Sequence, residues 1–313
     1  MKYRHRFHAG NFADVHKHVT LLALLGALKR KEKGFLCLET HAGRGGYDLS
    51  QPSPEAAGGI GRLTLAPDAA PELRDYAALL GRWRELLGEP HCYPGSPLLA
   101  LATLRPQDRI VLVEQLAAEA QALGELVARA RELLAARPRA GGPPAAAALA
   151  ADSLASGAEP RGGPARVQVE RGDGYARLRA WLPPPERRAL TFLDPPYEET
   201  RQDFVRLTQA LTEGLRRFPT GVFAAWYPIK DQRTTQAWQA ECTRTLTRPL
   251  LASELWLYPR DARIALNGSG MLIVNPPWRT LERMRVWLPQ LEKRLAVGSG
   301  GGNRVRMLRE SPP

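Results

Sequence analysis

The chain is poor in cysteine, has fewer acidic than basic residues, and contains no long apolar segment. It holds only three cysteines in 313 residues, far apart and without a CxxC pair, so neither a disulfide framework nor a cysteine-based zinc site is expected. No apolar run approaches the roughly 18–20 residues that span a bilayer. The N-terminus also lacks the apolar core of a secretory signal. These absences argue against secreted and membrane proteins and predict a cytoplasmic chain.

The excess of basic residues is concentrated at the two ends. Lys and Arg number 44 against 32 Asp and Glu, which leaves a net charge of +12. Residues 1–33 carry +6 of it and residues 279–313 carry +5. Such basic segments favour contact with a polyanion, and nucleic acid is the first candidate. Solubility, or a general preference for Arg, is the alternative explanation.

Apolar segments alternate with amphipathic ones along the chain. Helices are predicted at 116–136, 201–217, 231–244 and 279–295. Strands are predicted at 35–39, 110–114, 165–170, 189–194, 221–228, 250–259 and 270–278. Near-continuous apolar strands separated by helices predict an α/β fold, with a seven-stranded, mostly parallel sheet in one domain, residues 1–313.

Three segments depart from this alternation. Residues 49–105 are too long for one crossover and contain a helical pattern at 72–87, which predicts a small helical insertion after the first strand. Residues 137–165 are rich in Ala, Gly and Pro, and predict a flexible loop. Residues 298–313 are predicted to form a disordered tail.

The most informative motif is DPPY, Asp194–Tyr197, which directly follows a predicted strand. Ligands of open α/β sheets bind at the carboxyl ends of strands. Two prolines make the turn rigid, so the Asp194 carboxylate and the Pro195 carbonyl become acceptors that face one point. An exocyclic amine has two N–H donors that fit between them, and Tyr197 can stack on its ring.

Three further strand ends complete a possible cofactor site. Gly43, Gly45 and Gly46 follow the first strand and allow close approach of a ligand. Glu114 ends the second strand and can bind ribose hydroxyls, and Asp173 follows the third and can accept from an adenine amine. This order of elements outlines an S-adenosylmethionine (SAM)-dependent methyltransferase of Rossmann-like fold. The full G-x-G-x-x-G spacing is missing, which disfavours an NAD enzyme.

Two other motifs were considered as sites. Four of the six histidines lie between His5 and His18, but no HExxH or cysteine frame supports a metal, so none is expected. NPPW, Asn275–Trp278, looks like a second copy of DPPY. It follows the last strand with no cofactor motif after it, and we expect a structural or rim role.

Taken together, the motifs resemble one family. YRHRFHAGNFADVHKH, THAG, YPGSPLLA, GDGY, FLDPPYE, FAAWYP and SGMLIVNPPW are similar to the bacterial RlmJ family of 23S rRNA (adenine-N6)-methyltransferases, over about residues 3–295. The resemblance implies a methyltransferase fold and Asp194 as the catalytic residue. It also implies that Tyr3 contacts the RNA. The SAM contacts that it implies are Lys17, His18, His41, Ser96, Glu114, Asp173, Gly174 and Asp194.

The resulting hypothesis is SAM-dependent N6-methylation of one adenine in 23S rRNA by a monomer. The same DPPY geometry would serve a guanine-N2 or a DNA adenine-N6 methyltransferase. An RNA-binding assembly factor with a vestigial cofactor fold is the alternative from another class. C5-methylation of a pyrimidine is disfavoured because no Pro-Cys nucleophile is present.

Overall fold

The apolar segments form an eight-stranded sheet in the computed structural model, which describes residues 7–136, 165–259, 262, 264 and 266–310. Its strand order is β10-β8-β9-β7-β6-β1-β4-β5, and β2 and β3 form a separate pair. The strands are β1 (Leu36–Glu39), β2 (Gly46–Asp48), β3 (Cys92–Pro94), β4 (Arg109–Glu114), β5 (Arg166–Arg171), β6 (Ala189–Leu193), β7 (Val222–Ile229), β8 (Leu250–Trp256), β9 (Gly268–Val274) and β10 (Gly302–Arg309).

Helices cover this sheet, and those predicted from the sequence are all present, to within one residue at each end. They are α1 (Phe12–Lys29), α2 (Pro54–Gly58), α3 (Pro71–Leu87), α4 (Ser96–Thr103), α5 (Ala117–Ala135), α6 (Gly174–Trp181), α7 (Thr200–Arg217), α8 (Gln232–Thr245) and α9 (Thr280–Leu295). None of the helices in the described part of the chain has the length and apolar composition needed to cross a membrane.

Five strands run parallel and bring their carboxyl ends to one edge of the sheet. β1 pairs with β4 and β6, β4 with β5, and β6 with β7, all in parallel register. Every residue of β1 and of β6 is buried, as expected for parallel strands covered on both faces. The strand order reverses at β1, so a crevice for a ligand is expected at the carboxyl ends of β1, β4 and β6. We call this side of the sheet the carboxyl edge.

The rest of the sheet is antiparallel and includes a strand from the predicted disordered tail, residues 298–313. β9 pairs antiparallel with β7 and β8, and β10 pairs antiparallel with β8. Arg304 on β10 donates to Glu254 Oε2 at 3.1 Å, and Arg306 also anchors the strand through Gln239. The prediction of disorder is wrong for Gly302–Arg309, and the sheet has eight strands rather than seven. The strand was missed because glycines precede β10 and because its partners on β8 lie 46 or more residues earlier in the sequence.

α1 is a helix that the sequence patterns did not predict. Its residues are buried on all sides, because it packs against α3, α4, α9 and β9. A helix buried all round shows no polar face and so no amphipathic period. The buried residues include Asp14, His16, Lys17 and His18, which brings four polar side chains into the interior. The helix begins where Asn11 Oδ1 accepts the backbone N–H of Asp14 at 2.9 Å.

The insertion, residues 49–105, contains α2, α3 and α4, of which α3 corresponds to the helical pattern predicted at 72–87. Its two ends meet where β2 and β3 pair antiparallel, with Tyr47 opposite Tyr93. α3 and α4 pack on α1 and share its apolar core. The insertion therefore rests on the same helix that supplies Lys17 to the carboxyl edge. The flexible loop predicted at 137–165 lies outside the described residues apart from the buried Ala165.

Candidate active site

Four acidic side chains meet at the carboxyl edge. Glu39 ends β1, Glu114 ends β4, Asp173 lies two residues beyond β5, and Asp194 follows β6 directly. β5, β4, β1 and β6 are neighbours in that order, so the four acids follow one another along the crevice. The sequence predicted this convergence for three of them, and Glu39 was named only as the start of the glycine turn.

Asp194 is held by a lysine from the other end of the chain. Lys17 Nζ lies 2.7 Å from Asp194 Oδ2 and 2.8 Å from Asp14 Oδ1. The side chain of Lys17 is 4% exposed, that of Asp14 is 2% and that of Asp194 is 18%. Lys17 also lies over the ring of Trp226, 4.7 Å from its centroid. The ammonium thus fixes one oxygen of Asp194, while no hydrogen bond from the described residues uses Oδ1.

Lys17 owes its position to the turn that precedes α1. The backbone N–H of Gly10 donates to Asp14 Oδ2 at 2.9 Å, so Asp14 links the turn to Lys17. The resemblance implied that Lys17 contacts the cofactor. The structure places it against Asp194 instead, and a cofactor contact by the same side chain stays a prediction.

Glu39 is a functional candidate that the residue patterns missed. Ser96, at the start of α4, donates from Oγ to Glu39 Oε2 at 2.7 Å. Glu39 Oε1 is buried and has no hydrogen-bond partner among the described residues. Burial raises the pKa of Glu39 to about 8, the Ser96 hydrogen bond opposes the rise, and the charge of Asp194 adds to it. The signal in the sequence was an acid between a buried strand and a glycine turn.

The raised pKa predicts how the stability of the apoprotein depends on pH. Between its ordinary value near 4.5 and about 8, folded Glu39 binds a proton that the unfolded chain has lost, so stability falls as pH rises. We expect the free energy of unfolding to fall by about 2 kcal/mol from about pH 6.5 to 8 through this group. In Glu39→Gln this contribution disappears. Urea unfolding of both proteins across the range measures it.

The pH profile of Glu39→Gln is compared with that of the unmodified chain because His8 also loses a proton at a nearby pH. Glu55 raises the pKa of His8, whose loss of a proton acts in the same direction. The pKa of Asp75, raised by burial to about 6, and that of Lys29, lowered by burial to about 8, affect stability mainly outside this window. Identical pH profiles for Glu39→Gln and the unmodified chain would contradict the assignment.

The glycine turn is closed onto β4 by Glu114. Gly43 and Gly45 have φ of +62° and +81°, which other residues adopt at a cost. Glu114 Oε2 accepts from the backbone N–H of Gly43 at 2.9 Å, and Oε1 accepts from that of Leu116 at 2.8 Å. Each oxygen keeps a second lone pair for a ligand hydroxyl. The predicted ribose contact is compatible with this geometry.

Asp173 and Gly174 form the start of α6. Asp173 Oδ1 accepts the backbone N–H of Ala176 at 3.0 Å and so caps the helix. A Cβ on Gly174 would lie 1.9 Å from the carbonyl oxygen of Thr40, so only glycine fits this close approach to the end of β1. The cofactor contacts implied for both residues stay predictions.

His41 follows Thr40 and is kept neutral. Its Nδ1 lies 2.8 Å from Thr40 Oγ1, which donates to the carbonyl of Phe192 at 3.3 Å. That arrangement makes Nδ1 the protonated nitrogen and leaves Nε2 as an acceptor. Burial lowers the pKa of His41 to about 4, and the charge of Asp173 only partly offsets this. Tyr175 lies edge-on to the imidazole, with ring centroids 5.0 Å apart.

The other histidines of the N-terminal motif are directed to different places. His18 Nδ1 lies 3.0 Å from the hydroxyl of Tyr93 on β3, so it connects α1 to the insertion. His16 lies between the hydroxyls of Ser253 and Ser269, 3.0 Å from each. His8 pairs with Glu55 at 2.8 Å. Tyr3, which the resemblance implied as an RNA contact, lies outside the described residues.

The DPPY turn is anchored by its last residue. The Tyr197 hydroxyl donates to the carbonyl of Trp226 at 2.6 Å, and its ring packs edge-on against Phe204 and Trp226. Pro195 is buried and Tyr197 is only 8% exposed. Tyr197 therefore fixes the turn, and base stacking by its ring stays a prediction.

NPPW lies at the opposite edge of the sheet. β9 runs antiparallel to β7, so Asn275 follows it where β7 begins. Asn275 has φ of +52°, and its Nδ2 donates to the carbonyls of Pro219 at 3.0 Å and Gly221 at 2.7 Å. The amide thus ties two loops together, which is the structural role expected. Trp278 is 77% exposed.

Comparison with known proteins places the chain in a family. The model of the RsmJ family, described as "Ribosomal RNA large subunit methyltransferase D, RlmJ", matches residues 32–141 and 161–308. The "Ribosomal RNA large subunit methyltransferase J" of Escherichia coli (strain K12) is 33% identical over 305 residues, which cover 96% of each chain. The protein of the same name from Haemophilus influenzae is 34% identical over 307 residues, covering 97% of this chain and 96% of that one.

A solved structure has the same architecture. The crystal structure of protein LPL1258 from Legionella pneumophila superposes with a TM-score of 0.77 and is 29% identical. The match covers 96% of this chain and 98% of that chain. The predicted α/β fold with a mostly parallel sheet is confirmed, and the similarity extends over the insertion as well as the sheet.

Proposed function

The chain belongs to the RsmJ family of ribosomal RNA large subunit methyltransferases, and on that premise we propose that it transfers the methyl group of SAM to N6 of one adenine in 23S rRNA. The observation that carries the proposal is Asp194, which stands at the carboxyl end of β6 with Oδ2 bound to Lys17 and with Oδ1 receiving no hydrogen bond from the described residues. An acceptor fixed in this way suits an amine donor.

The chemistry of the crevice fits SAM, which when bound supplies an electrophilic methyl group on a sulfonium. Glu39 Oε1 has no hydrogen-bond partner among the described residues, and a cationic ligand beside it would favour the ionised carboxylate, in which this oxygen is a buried acceptor. Glu114 would hold the ribose hydroxyls and Asp173 the adenine amine. His41, through Nε2, and Ser96 complete the residues that would hold the cofactor.

The target amine is positioned by the DPPY turn. Its lone pair is conjugated with the adenine ring, so it is a weak nucleophile that gains most from orientation. Its two N–H groups donate to Asp194 Oδ1 and to the Pro195 carbonyl, which directs the lone pair toward the methyl group. Orientation of two reactants contributes up to about 7–11 kcal/mol to a barrier. Asp194 Oδ1 is also in reach of the proton that the amine then loses.

The substrate adenine must leave its stack to enter the turn. Enzymes that modify a base act on single-stranded substrates or rotate the nucleotide outward. Of the basic ends of the chain, Lys29–Lys33 precede β1 and Arg279 follows β9, so these cations lie at the opposite edge of the sheet, and the phosphates around the adenine would be contacted by cations nearer the crevice. A guanine N2 amine, or adenine in DNA, offers the same donors, so the base is separated from these alternatives by experiment.

The test is methyl transfer from labelled SAM to 23S rRNA taken from cells that lack the protein. Nucleosides are then analysed by mass spectrometry. We expect label in N6-methyladenosine at one site. Label in methylguanosine, or label on DNA alone, would keep the methyltransferase and replace its substrate. RNA binding with no SAM binding by calorimetry would favour the assembly factor instead.

A further inference from the structure

A cleft beside the DPPY turn is not used by the proposed reaction. It lies between the start of α7 and the loop after β7, has a volume of about 200 Å³, and is open to solvent. Its floor is formed by Phe204 and Pro228, and its walls carry the hydroxyls of Thr200 and Thr234. We call it the β7 cleft. Because the cleft opens to solvent, a nucleotide can lie in it with one face exposed.

The cationic wall of the cleft is attached to the catalytic turn. Lys230 Nζ donates to Thr200 Oγ1 at 3.2 Å and to the carbonyl of Tyr197 at 3.5 Å. Within the described residues, no carboxylate lies within ion-pair distance of Lys230, and the same holds for Arg201 on the facing wall. Two exposed cations therefore border a cleft that is joined to the DPPY turn at Tyr197, and the oxygens bound to the lysine are neutral.

Asp231 also lines the cleft, but within the described residues its carboxylate forms no ion pair with Lys230 or Arg201. Asp231 is turned into the first turn of α8, where it accepts the backbone N–H groups of Arg233 and Thr234 at 3.2 and 2.8 Å and the Thr234 hydroxyl. Its oxygens are thus used in capping the helix. The cations remain available to an anion that enters from solvent.

We propose that the β7 cleft binds the nucleotide next to the target adenine, with the phosphate between Lys230 and Arg201. This inference rests on the proposed function, because it takes the DPPY turn to hold an RNA base. Neighbouring phosphates of a single strand are separated by one nucleotide. Lys230 is joined to the DPPY turn by its hydrogen bond to the Tyr197 carbonyl, so a strand whose adenine lies in the turn can bring its next phosphate to Lys230. The apolar floor suits a ribose or base face, and the cations suit the phosphate.

The test uses a short single-stranded RNA with one adenine and measures its binding to the full chain at several salt concentrations. Lys230→Ala is expected to weaken binding about tenfold and to reduce the salt slope by about 0.7. The KM for RNA should rise by more than kcat falls. Lys230→Arg should restore most of the affinity, because it keeps the charge. Lys31→Ala, an exposed lysine just before β1 at the opposite edge of the sheet, is the matched control and should change neither quantity.

Neutral linkages locate the contact. One methylphosphonate replaces the phosphodiester on either side of the adenine in turn. We expect one of the two to weaken binding to the unmodified chain about tenfold and to have no effect in Lys230→Ala. Equal losses in both proteins, or a Lys230→Ala variant that matches Lys31→Ala, would overturn the site even while methyl transfer proceeds. Binding without transfer by the unmodified chain would instead contradict the proposed function.

Discussion

Asp194→Asn is expected to lower kcat for methyl transfer by about 10²–10³-fold, the usual loss when one fixed polar contact to the reacting group is removed. The amide can keep its carbonyl on Lys17, which then turns the NH₂ group toward the substrate amine. Two donors facing one another replace a donor and an acceptor. Initial rates with labelled SAM and 23S rRNA measure the effect.

SAM binding and folding separate this effect from damage to the site. Calorimetry should still detect SAM in Asp194→Asn, because the glycine turn, Glu114 and Asp173 are unchanged. Asp68→Asn removes an exposed carboxylate in the loop before α3 and should leave the rate unchanged. Full activity of Asp194→Asn would remove Asp194 from the mechanism.

Among the proposed variants, Lys17→Met is expected to cause the largest loss of stability. Methionine has similar length, so the substitution removes the charge with little change in packing. Asp14 and Asp194 would then face each other without the ammonium between them. Breaking a buried ion pair costs about 3–5 kcal/mol, because an uncompensated charge remains. The free energy of unfolding in urea measures this loss, and methyl transfer should fall with it.

A double variant distinguishes charge from packing. Lys17→Met combined with Asp14→Asn removes one of the two uncompensated carboxylates, so it should recover a large part of the stability without recovering activity. Lys293→Met changes an exposed lysine and should alter stability by less than about 0.5 kcal/mol. An unfolding free energy of Lys17→Met equal to that of the unmodified chain would show that the ion pair contributes nothing.

Local patterns were sufficient for the parallel half of the sheet. β1, β4 and β6 are short and apolar. A glycine turn follows β1, Glu114 ends β4, and the DPPY turn follows β6. Because parallel strands end at the same edge, order along the chain was enough to predict that Glu114, Asp173 and Asp194 converge. This is also why the methyltransferase class could be inferred from residues alone. The family resemblance added positions such as Ser96, for which no pattern argued.

Contacts between distant segments were beyond these patterns. Lys17 and Asp194 are 177 residues apart, and nothing in either segment marks the other as its partner. α1 is buried all round, so it has no polar face to indicate a helix. The partners of β10 lie on β8 and α8. In each case the structure depends on contacts with residues that are close in space but lie at no fixed distance along the sequence.

The sequence by itself determined the alternation of strands and helices, the glycine turn and the rigid DPPY acceptor, since each depends on neighbours within a few residues. Only the tertiary structure decided which of two similar Pro-Pro motifs faces the crevice. β6 runs with its parallel neighbours and carries Asp194 to the carboxyl edge, whereas β9 runs against them and carries Asn275 to the other side. Strand direction is set by how the whole chain packs, and it separates two motifs that look alike in sequence.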